Sequence, residues 1–137
     1  MRGALVDTGP LVALLDRRDA HHAWACELLD TVQAPMRTCE AVVSEACFLL
    51  RRVDGGAQKL LDLVERNVVL VTFRLQGEVA PVRKLVARYA NVPMAFADAC
   101  LVRMTELDAA ATVVTLDKGF RVYRKHGRQA VPVILPE

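Results

Sequence analysis

Apolar and polar positions fall in blocks along this chain, and the blocks predict strands and helices in alternation. The first apolar run, Ala4-Leu5-Val6, stops abruptly at Asp7 and reads as a short buried strand over residues 3–6. Thr8-Gly9-Pro10 follows. Thr8 is placed to cap a helix, with Pro10 in its first turn, where a fixed φ and a missing N–H do no harm. Asp19 is a candidate cap for a second helix over roughly 20–33. A short strand at 36–38 precedes a helix over roughly 40–53, EAVVSEACFLLRRV. Gly55-Gly56 breaks it, and a further helix runs over roughly 57–66. VVLVTF, residues 68–73, is the clearest buried strand, a β-branched run between polar neighbours. Beyond it come a helix near 78–90, a break at Asn91 to Pro93 and a helix near 94–107, MAFADACLVRMTEL. Strand ATVVT (111–115), a short helix around 117–125 and a last strand, VPVIL, complete the pattern.

The strands are continuous apolar runs, not alternating ones, and helices separate them. That combination predicts an α/β fold with a mostly parallel sheet covered on both faces. Ligands of such sheets bind outside the carboxyl ends of the strands, which is where Asp7 stands.

Composition narrows the class further. A chain of 137 residues, 53% hydrophobic and 25% charged, reads as an ordered globular protein, expected to be one domain over residues 1–137. The net charge of +2 neither demands nor excludes a nucleic-acid partner. Basic clusters occur at Arg17-Arg18, Arg51-Arg52, Arg83-Lys84 with Arg88, and Lys118 to Arg128; each taken singly reads as a solvated face. The four cysteines show no C-x-x-C spacing, which argues against a zinc site, and three of them sit in apolar runs as small hydrophobes. No apolar stretch reaches the ~18 residues of a membrane span, and the run after Arg2 is too short for a signal peptide. The expectation is a soluble protein of a reducing cytoplasm.

Four carboxylates stand where packing does not call for them. Glu45 sits within a helix that is apolar on nearly every side, so that helix is expected to be largely buried. Asp98 repeats the theme in the helix near 94–107. An ionised carboxylate in such surroundings costs several kcal/mol unless compensated. Asp7 and Asp117 each lie just past the end of a strand. Each acid has a local reading. Asp7 can cap the following turn or helix, Glu45 and Asp98 can each pair with a buried arginine or point through a gap to solvent, and Asp117 can cap the short helix. Jointly, two strand-tip acids and two mid-helix acids can converge on one edge of a parallel sheet. Converging carboxylates repel unless one is protonated or a cation joins them. Oxygen donors suit Mg²⁺ or Mn²⁺, and a metal so held can activate water at a phosphodiester. His21, His22 and His126 fall outside these positions.

Four segments in order, LVDTGPLVALLD, SEACFLL, FADACLV and VVTLDKGFRVY, resemble the PIN domain, and in particular the VapC-type toxins of bacterial toxin–antitoxin pairs. The resemblance runs the length of the chain. It implies a Rossmann-like three-layer α/β/α sandwich, with a mostly parallel sheet of four to five strands. It also implies a Mg²⁺- or Mn²⁺-dependent endoribonuclease, the toxin of a type II pair. The family's first acid falls on Asp7, with Thr8 beside it, the second on Glu45, the third on Asp98 and the fourth on Asp117. Thr115 matches the hydroxyl residue at that last strand end. Some relatives carry a second aspartate soon after the third acid; this chain does not. The resemblance further implies an RNA substrate, a cognate antitoxin and a homodimer. Lys118 and Arg121 are candidates for RNA phosphates, although phosphate contacts follow no motif. The competing reading is a PIN-like module that binds RNA or protein without cutting. A phosphoacceptor domain would need an aspartate closing VVLVTF, and none is there. A haloacid-dehalogenase-like phosphatase would need one where Gly9 stands.

Overall fold

The computed structural model describes residues 3–33 and 35–137. In chain order its strands are β1 (Ala4–Val6), β2 (Met36–Thr38), β3 (Val69–Val71), β4 (Thr112–Val114), β5 (Arg124–Lys125), β6 (Gln129–Ala130) and β7 (Val133–Ile134). The helices are α1 (Thr8–Leu15), α2 (His22–Thr31), α3 (Glu40–Leu49), α4 (Gly56–Glu65), α5 (Val79–Arg88) and α6 (Phe96–Leu107). Five strands form the central sheet in the order β3-β2-β1-β4-β7, and every neighbouring pair is parallel. Helices α1 to α4 pack among themselves, α5 packs with α6, and α3 also meets α6. Right-handed crossovers put the outbound helices and the returning pair on opposite faces of the sheet. The α/β sandwich expected from the sequence is therefore present, with five parallel strands. Fully buried Leu5, Val113, Leu11, Leu101 and Val102 join strand and helix layers in one core, each worth about 2 kcal/mol of apolar burial. Among the described residues, no helix is long and apolar enough to cross a membrane.

Several local expectations differ from what is found. VVLVTF contributes only Val69–Val71, an edge strand with Leu70 and Val71 half-buried, because β3 ends the sheet. The predicted helix at 40–53 ends at Leu49 and tightens into a 3₁₀ turn at Leu50–Arg52. Asp19 does not cap α2: its carboxylate accepts from the His21 N–H inside a turn, and α2 begins after His21. The short helix predicted around 117–125 is a single 3₁₀ turn, Lys118–Arg121, followed by an antiparallel hairpin, β5–β6. His126 and Gly127 both take positive φ (51° and 78°) to close that hairpin, a reversal that no helical run can contain.

The chain leaves β1 toward β2 and β3, and leaves β4 toward β7, yet β1 and β4 are neighbours. The crevice outside their carboxyl ends is thus the switch point of the sheet, with no connection crossing over it.

Candidate active site

Register delivers the first two groups to that crevice. Leu5 pairs with Val113 and Val6 with Val114, and the Asp7 N–H continues the ladder to the Val114 carbonyl at 2.9 Å. Asp7 therefore stands beside Thr115, whose hydroxyl donates to Asp7 Oδ2 at 2.7 Å. Asp7 Oδ1 accepts from the Thr8 N–H at 2.8 Å, so Asp7, and not Thr8, caps α1. Aspartate is a good N-cap because it satisfies one of the orphan amides of the first turn. Thr8 is instead the first residue of the helix, and its hydroxyl donates to Glu45 Oε2 at 3.3 Å. Thr115 Oγ1 also accepts from the Asp117 N–H at 2.9 Å, while Asp117 Oδ1 caps the 3₁₀ turn through the Gly119 N–H at 2.8 Å.

Asp98 arrives from the other face of the sheet. It lies in the first turn of α6, where the helix dipole favours a carboxylate, not in the helix interior. It is 8% exposed, and the Tyr123 hydroxyl donates to its Oδ2 at 2.9 Å. Glu45 departs from expectation. Only Val42 and Ala46 of α3 are buried, and Glu45 is exposed. Its apolar sequence neighbours lie partly open; Phe48 is 61% exposed beneath the Arg51 guanidinium.

All four sequence-predicted acids, Asp7, Glu45, Asp98 and Asp117, line one open cleft of about 340 Å³, with Thr8 among them and Leu49 and Leu116 as apolar wall. Gly9 also lines it, and a Cβ there would come within 3.0 Å of the Leu116 side chain. Lys118 and Arg121 sit on the exposed turn beside Asp117, outside the cleft itself. A larger hollow of about 900 Å³ contains none of the four acids. It lies at the far end of α1, lined by charges of both signs, of which Asp16 and Arg52 are paired at 3.4 Å.

The acids perturb one another. Burial raises the Asp7 carboxyl above its ordinary 3.8, against the opposing hydrogen bonds from Thr115 and Thr8, and the charges of Asp117 and Glu45 raise it further. Burial likewise pushes Asp98 up to about 6. The Tyr123 hydrogen bond works against this, and the charges of Asp7, Asp117 and Glu45 add to it. Burial, then Asp98 itself, pushes the Tyr123 phenol up, so it remains a donor. A cation among these oxygens would remove both the burial and the repulsion penalties. The cleft is lined by carboxylate and hydroxyl oxygen, without thiol or imidazole, which fits a hard divalent ion and not zinc. Among the described residues, no group of three acidic, cysteine or histidine side chains is placed to hold a metal ion as it stands. Glu45 and Asp117 are exposed, and turning such a side chain between staggered rotamers is cheap.

Tyr123 is the residue that the sequence pattern did not single out. It lies within VVTLDKGFRVY, buried edge-on against Phe120 and Tyr89, with ring centroids 5.2 and 5.1 Å away. A buried tyrosine hydroxyl needs a partner, but which partner depends on α6, 25 residues earlier.

This α/β fold with its strand-tip acids defines a class. The chain belongs to the PIN domain family, whose profile matches residues 4–126. Among solved structures it is similar to VapC20 of Mycobacterium tuberculosis, described as a sarcin-ricin loop cleaving toxin. The identity is 23%, over 80% of this chain and 86% of that one, with a TM-score of 0.63, a likeness of fold. No curated protein matches the chain.

Proposed function

We propose that this protein is a Mg²⁺- or Mn²⁺-dependent endoribonuclease, the toxin of a type II toxin–antitoxin pair, with Asp7, Glu45, Asp98 and Asp117 as its metal-binding and catalytic acids. The observation that carries this reading is the meeting of all four in one cleft at the switch point, two of them buried and held ionised only at a cost. Membership of the PIN family supports nuclease chemistry, and the RNA-cleaving description of the similar structure supports RNA as substrate. Asp7, Asp98 and Glu45 would hold the metal, and Asp117 would complete the set directly or through water. When bound, the ion supplies an activated water and neutralises charge at the phosphodiester. Thr115 and Tyr123 fix the orientation of Asp7 and Asp98, and Thr8 steadies Glu45. Lys118 and Arg121 would take RNA phosphates as the strand leaves the cleft. A cognate antitoxin and a homodimer belong to the same reading.

The test is cleavage of a mixed RNA pool with Mn²⁺ or Mg²⁺. Cutting is expected with either ion and none in EDTA. RNA binding that persists in EDTA with no cleavage under any metal would replace this reading with that of a binding module.

Tyr123→Phe isolates the support of Asp98. It is expected to weaken Mn²⁺ binding about tenfold while costing roughly 1 kcal/mol of stability. Calorimetric Mn²⁺ titration and thermal melting separate the two effects.

A further inference from the structure

Two basic segments far apart in sequence come together beside the cleft. Residues 79–90 carry Arg83, Lys84 and Arg88 and no acid; residues 118–130 carry Lys118, Arg121, Arg124, Lys125 and Arg128 and no acid. These eight cations, set against a whole-chain net of +2, leave the remainder of the chain six units negative. The charge along the chain is therefore uneven, and six of these eight cations, all but the half-buried Arg124 and the buried Lys125, are exposed.

The contact between the segments is specific. The Tyr89 and Tyr123 rings meet at 5.1 Å, and the Arg124 N–H donates to the Tyr89 hydroxyl at 2.8 Å. A Cβ on Gly127, at the hairpin turn, would lie 3.5 Å from the Arg88 guanidinium. Lys84 and Arg88 are one helical turn apart and so share a flank of α5. Lys84, Arg88, Lys118, Arg121 and Arg128 are all exposed, and none makes an ion pair among the described residues. The same Tyr123 that bridges to Tyr89 hydrogen-bonds Asp98, and Lys118 directly follows Asp117. The basic face is thus continuous with one wall of the acidic cleft.

We infer that α5 and the β5–β6 hairpin form a track for a single-stranded polyanion, on which an RNA strand continues past the cleft on the Asp98–Asp117 side. This rests on the ribonuclease reading for the identity of the polyanion. A cleft of four acids repels phosphates, so the holding charge must lie outside it, and this face supplies that charge. The aromatic rings beneath it are buried, which leaves phosphates as its contacts and makes the track indifferent to base sequence.

The experiment measures binding of a fluorescent 20-nucleotide RNA of mixed sequence to the uncut complex of the Asp98→Asn protein, at several salt concentrations. The partner measurement adds Arg88→Ala and Arg128→Ala to the same protein. Loss of two phosphate contacts is expected to lower the slope of log K against log salt by about 1.4 and to weaken binding roughly tenfold, equally for unrelated sequences. Unchanged affinity and slope would overturn the track, even if the wild type cuts RNA. Arginine-dependent RNA binding in a protein that never cuts would keep the track and overturn the ribonuclease reading. RNA binding independent of the two arginines, with poly-glutamate binding dependent on them, would reassign the face to an acidic protein partner and overturn the inference.

Discussion

Asp98→Asn is expected to lower metal-dependent RNA cleavage on the order of a thousandfold or more while leaving the metal-free fold at least as stable. Both halves follow from one feature. Asp98 is held in the first turn of α6, nearly buried, with a hydroxyl on one oxygen and three other carboxylates around the same cleft. Its folded pKa stands near 6 against an ordinary 3.8, a difference worth no more than about 3 kcal/mol. A raised carboxyl means that the native state binds its proton more tightly than the unfolded chain does. For this group, metal-free stability is therefore greatest below pH 4 and falls as pH rises to about 6, beyond which it is level. Asp7, also raised, acts in the same direction. Asparagine keeps an acceptor for Tyr123 and cannot ionise, so chemical denaturation of the variant should lose most of the Asp98 part of this dependence. Added Mn²⁺ should restore wild-type stability above pH 6, because it binds only the folded, ionised site, and should do little for the variant. Undiminished cleavage by Asp98→Asn would remove it from the site.

Thr115→Val is expected to weaken Mn²⁺ binding between about ten- and a hundredfold and to destabilise the fold by roughly 1–3 kcal/mol. The side chain is fully buried, and its one hydroxyl serves two neighbours. It donates to Asp7 Oδ2 and accepts from the Asp117 N–H. Valine preserves the shape and deletes both bonds. Asp7 then loses the largest interaction that opposes its burial, so its carboxyl should rise further and metal binding should need a higher pH. Thr115→Ser supplies the control. It keeps the hydroxyl and loses a methyl, so metal affinity should return toward wild type while some of the stability loss remains. Equal metal affinity for the valine and serine variants would confine Thr115 to packing.

Much of this architecture was legible along the chain because its causes are local. Continuous apolar runs separated by helical stretches indicate a parallel sheet, and four of its five strands lie in such runs; β2, Met36-Arg37-Thr38, is the exception. The acids drew attention for the same reason, standing at apolar places without a packing role. The failures also have causes. The helix that carries Glu45 reads as largely buried because it is apolar on nearly every side, yet nothing in the described chain covers the face on which Glu45 stands. Thr8 and Asp7 are both good caps, and composition could not choose between them. Backbone geometry chose Asp7, whose extended φ and ψ (−84° and 172°) end the strand and begin the helix. The β5–β6 hairpin escaped because its strands are two residues each, Arg-Lys and Gln-Ala, too short and too polar for any apolar periodicity.

The sequence by itself determined the alternation of elements, the position of Asp7 and Asp117 at strand tips, and the presence of unexplained acids in two helices. These depend on residue type and neighbour, which a chain displays directly. Tertiary structure alone decided that β1 and β4 lie side by side, and with that the Asp7–Thr115 hydrogen bond across 108 positions. It also decided that Tyr123 holds Asp98, and that two basic segments share a face. Strand order and register arise from the packing of the whole core, and no short stretch of sequence carries that information.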